Sequence, residues 1–423
     1  MGSVNVKSLE KIDNSILEHL GIFIKLFILL YADNTVLFSE TPEGLQSALD
    51  SFENYCKLWK LEVNVKKTKI VVFSKRKAKV DREFKIFDTV LDIEDSYSYL
   101  GLVFNYDGNF SQTKKKLVEQ AHKALHGLYR KIRNVSIPVD LQVKLFDVLI
   151  SPILLYGSEI WGFGNNSIIE KIHLQFCRKL LHVRTSTPSY MVYGELGRKP
   201  MDITIKSNMI CYWGRLLQSD NKLSNILYRL MVKLSEHDNM QFNWINSIKS
   251  VLDDTGYSEF WIEQNSLHPV FMKKSVQQRL SDQFIQKWFS DMVNSPKGQL
   301  YSSIKSNFGF EPYLLKLSLP NRIYICKLRT CNLKLPIETG RWRKIPRDER
   351  YCTLCSDQLI GNEFHYLFIC SNPTLNLLRS KYIPEYYTRI PTNVKMYGLL
   401  SHCNIPVLNR LALFIRKTSY LFT

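Results

Sequence analysis

The chain has 423 residues, and 57 Lys and Arg against 39 Asp and Glu leave a formal net charge of +18. An excess of this size points first to a polyanionic partner, RNA or DNA. A membrane is set aside, because the apolar run from Leu20 to Leu30 is too short to span a bilayer and is interrupted by Lys25.

The first residues lack the layout of a signal peptide. At this length two or three domains are expected, each able to bury its own core. Taken in chain order, the apolar runs Leu26–Leu30 and Thr35–Phe38 flank Tyr31-Ala32-Asp33-Asn34. Strand-like runs joined by Asp-Asn predict a tight hairpin, since both residues tolerate positive φ at modest cost, and the Asp33 carboxylate then projects from the tip. Thr41 and Pro42 form an N-cap and first turn. Leu45, Leu49, Phe52, Cys56 and Trp59 follow at three- and four-residue steps, which predicts a helix with one apolar face, packed on a sheet. Asn64-x-x-Lys67-Thr68 then leads into a buried strand, Ile70–Phe73. Phe84–Phe87 and Tyr97–Phe104 predict a strand pair, the second strand kinked at Gly101.

In this order, the hairpin, the helix, the Asn-x-x-Lys-Thr loop and the Tyr99-Leu100-Gly101 strand resemble the palm of LINE-type (non-long-terminal-repeat) retrotransposon reverse transcriptases. The hairpin of that family carries Tyr-x-Asp-Asp, and here the second Asp is Asn34. The resemblance implies that Asp33 is a former metal ligand and Asn34 the substituted position. It places Lys67 near an incoming triphosphate and makes Tyr99 and Gly101 part of the primer-grip strand. Lys67 reads equally well as an exposed turn lysine, and the tetrapeptide alone also fits an unrelated hairpin. The family has a further essential Asp upstream. Before Tyr31 the acidic residues are Glu10, Asp13 and Glu18, none in a matching motif. A partial palm is therefore expected, inactive alone, with Mg²⁺ at Asp33 only if the palm were complete.

Beyond the palm, Leu117, Ala121, Ala124 and Leu128 step around a helix whose other positions carry Lys114, Lys115, Lys116, Lys123, Arg130, Lys131 and Arg133. As a charge run this is a solvated face. The resemblance implies a thumb helix along a primer-template duplex, with Lys115, Lys123 and Arg130 neutralising phosphates. Pro138 starts a helix with Leu141, Leu145 and Leu149 on one side, and Pro152 is expected to kink or end it. Ile153–Trp161 and Thr187–Arg198 are similar to the thumb-like region of the same family. The segment from Ser235 to Leu335, with Trp244, Trp261 and Trp288, is expected to be helical and carries no assigned role.

The last constellation is Cys352-Thr-Leu-Cys355, with His365 and Cys370 beyond it. The first pair forms a knuckle. The second pair, five apart on a short helical segment, can close a tetrahedron around one Zn²⁺, with a chance cluster as the plainer alternative. Arg341–Arg350 before it, and Arg379 and Lys381 after it, place positive charge beside the cluster. The arrangement also resembles the Cys/His segment near the C-terminus of LINE-type proteins, which implies RNA or target DNA as partner. Cys56, Cys177, Cys211, Cys326, Cys331 and Cys403 sit on apolar faces as buried free thiols, as expected in a reducing compartment, nucleus or cytoplasm.

The expected fold class is α+β: a partial polymerase palm of antiparallel strands with packed helices, then a mainly helical thumb-like region and a small zinc-knuckle-like segment. The expected divisions are 1–110 for the palm, 111–230 for the thumb-like region, 231–340 for a helical region and 341–423 for the Cys/His region. The expected function is that of an RNA-directed DNA polymerase remnant that binds RNA, DNA or their hybrid. The alternatives are a zinc-dependent interaction module and a fragment completed by a separate chain.

Overall fold

A computed structural model describes residues 28–31, 34–74, 77, 81–219, 222–237, 243–401 and 404–422. Asp33, Cys403, the early acidic residues Glu10, Asp13 and Glu18 and the run from Leu20 to Phe27 lie outside the described residues. The fold is α+β, mainly helical with small sheets. Two compact units interleave along the chain: Met1–Ala121 with Ile153–Ile168 and Thr204–Gln277, and His122–Pro152 with Ile169–Ile203 and Gln278–Thr423.

The first unit holds four two-stranded sheets among the described residues. Strand β1 (Ile28–Tyr31) pairs antiparallel with β2 (Asn34–Leu37). The helix Pro42–Trp59 follows, its N-terminus capped by the Thr41 hydroxyl, which accepts from the Gly44 N–H at 3.1 Å, and its C-terminus closed by Lys60 at φ 51°. Such caps satisfy amides and carbonyls that a helix leaves unpaired at its ends. Its apolar face meets β3 (Lys69–Ile70) and β4 (Lys85–Ile86): Leu49, Ile70, Phe84, Ile86 and Leu91 form the core, with Leu45, Phe52, Val63 and Val65 against it. Trp59 departs from that face and is 63% exposed.

Strand geometry departs from the sequence reading in three places. The buried strand is only the two residues of β3, and it runs parallel to β6 (Asp92–Ile93). Phe84–Phe87 does not pair with Tyr97–Phe104; β4 turns back on β5 (Thr89–Val90). Tyr97–Phe104 is itself a hairpin, β7 (Ser96–Tyr99) against β8 (Leu102–Asn105). Its two-residue turn is Leu100-Gly101, at φ 47° and 84°, the primed geometry whose twist matches the flanking strands. Trp244 and Trp261 anchor the helical part of this unit; the Trp244 indole N–H donates to the Glu159 carbonyl at 2.7 Å.

The second unit is helical. In the helix Val139–Leu149 the buried residues are Val139 and Phe146, while Leu141 and Leu149 are 45% and 47% exposed, so the expected leucine face points outward. Phe146 stacks on Phe176 with ring centroids 4.4 Å apart. The helix ends at Leu149 and a short one, Ser151–Leu154, begins around Pro152. Ser189–Leu196 is buried along almost its whole length. Gly194 there leaves no room for a side chain, since a Cβ would lie 2.5 Å from the Tyr301 hydroxyl and 2.9 Å from Trp288.

Two buried polar networks tie this unit together. Glu195 and Arg329, 0% and 2% exposed, pair at 3.0 Å, with Tyr313 donating to Glu195, Glu311 3.1 Å from Arg329, and the Leu400 carbonyl accepting at 2.7 Å. Charges taken out of water this completely stay stable only when every donor and acceptor is matched. In the second network Arg198 grips Asp147 at 2.7 and 3.0 Å and donates from Nε to His173 Nε2 at 2.8 Å. That contact requires a neutral imidazole whose Nδ1–H donates to Glu170 at 2.8 Å.

Candidate nucleic-acid and metal sites

The palm-like positions fall on separate elements. Asn34 is the first residue of β2, paired with Tyr31 and exposed, so it belongs to the strand pair itself. It presents a neutral carbonyl where a second carboxylate would stand, and Asp33 lies outside the described residues. Lys67 closes a turn built by Asn64: its N–H donates to Asn64 O at 3.0 Å and Oδ1 at 3.2 Å, and the Thr68 hydroxyl donates to the same carbonyl. The Lys67 ammonium is exposed. Tyr99 is half-buried against Phe104. The adjoining turn is clamped from both sides, by the Tyr156 hydroxyl on the Leu100 carbonyl at 2.9 Å and by Lys116 on Ser98 Oγ at 2.7 Å and the Gly101 carbonyl at 3.3 Å. No hydrogen bond or ion pair joins Asn34, Lys67 and Tyr99 to one another among the described residues.

The basic helix spans Ser111–Ile132. It buries Leu117, Ala121, Leu125 and Leu128. Lys114 leaves the expected stripe: it is 7% exposed, donates to the carbonyls of Phe163 at 2.9 Å and Asn165 at 3.2 Å, and sits 5.5 Å from the Trp161 ring. Lys115, Lys123 and Arg130 are exposed and, among the described residues, make no ion pair. At 3.6 residues per turn they fall within an arc of about 80° on one face. Glu119 and His126 share that arc, and Lys131 and Arg133 extend the charge at its end.

The Cys/His residues are brought together. A narrow hairpin, bridged at Tyr351 and Ile360 and closed by Cys352 N–H to the Leu359 carbonyl at 2.8 Å, presents Cys352 and Cys355. A single π-helical turn, His365–Ile369, presents His365 and Cys370, its closing bond running from Cys370 N–H to His365 O at 2.8 Å. The five-residue spacing suits a π turn, where i and i+5 are joined directly. Arg379 fastens that turn by donating to the carbonyls of Leu367 at 2.8 Å and Cys370 at 3.1 Å.

The ligand atoms of the four all lie within 4.8 Å of one another, with Cys352 Sγ 3.8 Å from Cys370 Sγ and Cys355 Sγ 3.3 Å from His365 Nε2. A disulfide needs about 2.05 Å, so these are free thiols. Ligand distances of about 2.3 Å to sulfur and 2.0 Å to nitrogen put the corners of a zinc tetrahedron roughly 3.5 to 3.8 Å apart, so the sulfur pair stands at that spacing and the Cys355–His365 pair slightly inside it. The Leu354 N–H points at Cys352 Sγ at 3.4 Å, and His365 Nδ1 is buried without a partner. Burial pushes the Cys370 thiol up to about 12 and the His365 imidazole down; a bound dication would override the first by holding the thiolate directly.

The buried networks around Glu195 and Glu170 escape a reading of the sequence. The visible signal was a glutamate inside the apolar run Tyr190-Met-Val-Tyr-Gly-Glu195-Leu. Its partner Arg329 lies 134 positions away. The expected buried thiols are present at Cys56, Cys177, Cys211, Cys326 and Cys331.

Known proteins similar to this chain are reverse transcriptases and transposon products. Residues 4–104 match the family model for reverse transcriptase (RNA-dependent DNA polymerase). Among curated proteins the chain is 22% identical over 226 residues to the RNA-directed DNA polymerase from mobile element jockey of Drosophila melanogaster. It is 28% identical over 166 residues to an RNA-directed DNA polymerase from transposon BS of the same organism. A transposon-derived protein of Caenorhabditis elegans is 29% identical over 151 residues. These alignments cover 50%, 38% and 34% of this chain but only 22%, 18% and 52% of the respective relatives. Over residues 4–104 the chain is thus similar to reverse transcriptases, and these relatives come from mobile elements, in line with the palm motifs.

Proposed function

We propose that the chain is a reverse transcriptase-derived, nucleic-acid-binding protein that does not polymerise by itself and that holds one Zn²⁺ through Cys352, Cys355, His365 and Cys370. The observation that carries the first part is Asn34. Nucleotidyl transfer clamps two metal ions with hard carboxylate oxygens and substrate phosphates, and a neutral amide is a much weaker ligand for Mg²⁺. Binding rests on the family likeness and on the exposed cations of the basic helix, which suit phosphates of a duplex or hybrid without reading its bases. Zinc would cross-link the hairpin to the π turn as a closed structural site; it supplies no reaction step.

A second reading, a zinc-dependent interaction module, is favoured by one fact: the Cys/His group is where the predicted side chains actually meet. Primer extension on an RNA template with Mg²⁺ or Mn²⁺ tests the main reading. The unaltered chain should incorporate no nucleotide above a sample carrying Asp33→Ala, and template-dependent incorporation above that control would refute it.

A further inference from the structure

The helix Pro336–Trp342 ends on a tryptophan that is 50% exposed. One face of that ring is covered: the Arg184 guanidinium lies over it, its carbon 4.1 Å from the ring centroid. Arg184 is not free to leave. Its Nη2 donates to the Asn332 carbonyl at 2.6 Å and its backbone N–H to Asn332 Oδ1 at 3.2 Å, and Asn332 is itself buried and further held by the Thr187 hydroxyl at 2.9 Å. The ring is thus fixed from behind by a cation and open to solvent elsewhere. A guanidinium stacked on an indole is a favourable arrangement that also holds the ring in one orientation.

The charge around the ring has one predominant sign. Arg341, Arg343, Lys344, Arg347 and Arg350 stand in the same ten residues as Asp348 and Glu349. Arg341 pairs with the buried Glu338, Arg347 with Gln299, and Arg350 turns inward to backbone carbonyls. Arg343 and Lys344 are exposed and, among the described residues, make no ion pair. A rigid aromatic face beside unengaged cations is the combination that holds single strands, since every base offers a π-face and every nucleotide a phosphate.

We infer that Trp342, backed by Arg184, is a stacking platform for a base of single-stranded nucleic acid, with Arg343 and Lys344 engaging the flanking phosphates. None of these residues belongs to the basic helix, and the inference rests on the reading of the chain as a nucleic-acid-binding protein. A second copy of the chain or another protein could also cover an exposed tryptophan. The unpaired cations favour the polyanion.

The test uses the full chain and two probes of equal length and charge, a short oligothymidylate and its abasic counterpart. The unaltered protein should bind the intact strand about 5- to 150-fold more tightly, the range that stacking one base gives. Trp342→Leu should abolish that preference, and Trp342→Phe should retain most of it. Should the Leu variant fail to fold, Arg343→Glu with Lys344→Glu should make the salt dependence of single-strand binding shallower by about 1.4 on a log–log scale. Equal binding of both probes overturns the inference, as does a Trp342→Leu variant that folds and binds like the parent or loses self-association instead. If the chain binds an RNA–DNA hybrid but Trp342→Leu leaves single-strand binding unchanged, this inference alone falls. If it binds neither, the nucleic-acid reading falls with it.

Discussion

Removing zinc should loosen the Cys/His segment and nothing else in the chain. Without a cation, the cluster buries the thiols of Cys352 and Cys370 and the His365 ring, with Cys355 half-buried, and each unmet buried polar group costs about 1–3 kcal/mol. With zinc present at a thousandfold excess over its dissociation constant, the folded segment gains about 4 kcal/mol relative to the open one. The hairpin from Tyr351 to Ile360 buries only Cys352, so a loss of this size is enough to open it locally. The assay is amide hydrogen exchange with and without chelator under reducing conditions, read at Cys352, His365 and Cys370, whose N–H groups are bonded within the cluster. Protection there should fall by about a thousandfold, following the same 4 kcal/mol. The Leu91 amide, bonded to Phe84 in the first unit, should not change. Elemental analysis should find one zinc per chain, lost in Cys355→Ser. Because thiols and imidazole release protons on binding, zinc should leave as pH falls. A zinc-free protein with the same protection at all three amides would refute the argument.

Other substitutions test the buried polar framework. Arg329→Ala leaves Glu195 charged and unpaired in a dry interior and should cost about 3–5 kcal/mol in urea unfolding. Gly194→Ala forces a methyl against Tyr301 and Trp288 and should cost about 1–3 kcal/mol by the same measurement. Neighbouring lysines should behave oppositely: Lys114→Met strands two carbonyls and should cost about 1–3 kcal/mol, whereas Lys115→Met should stay within about 0.5 kcal/mol. Equal costs for the two lysines would contradict the placement of Lys114.

Local chemistry was readable where it was self-contained. The Thr41-Pro42 cap and the Asn64 turn depend on residues a few positions apart, and the grouping of Cys352 and Cys355 with His365 and Cys370 on residues no more than 18 apart; the structure forms each of them. The failures have two causes, a partner distant in sequence and a choice between equal periodicities. In Val139–Leu149 both Leu141-Leu145-Leu149 and Val139-Phe146 fit a helical stripe, and packing against Phe176 selects the second. Lys114 is drawn inward by carbonyls 49 and 51 positions away. In the sequence the Leu100-Gly101 turn reads as a kink because a leucine at positive φ is rare; Tyr156, 56 positions on, helps to hold it there.

The most direct test of the account is the salt dependence of binding to an RNA–DNA hybrid. If the exposed stripe of Lys115, Lys123, Arg130, Lys131 and Arg133 engages about five phosphates, log affinity should fall with log salt at a slope of roughly −4 to −5. Changing Lys115, Lys123 and Arg130 together to Glu should leave at most two contacts and a slope no steeper than about −2. Absence of hybrid binding in the parent chain, or an unchanged slope in the triple variant, would contradict it.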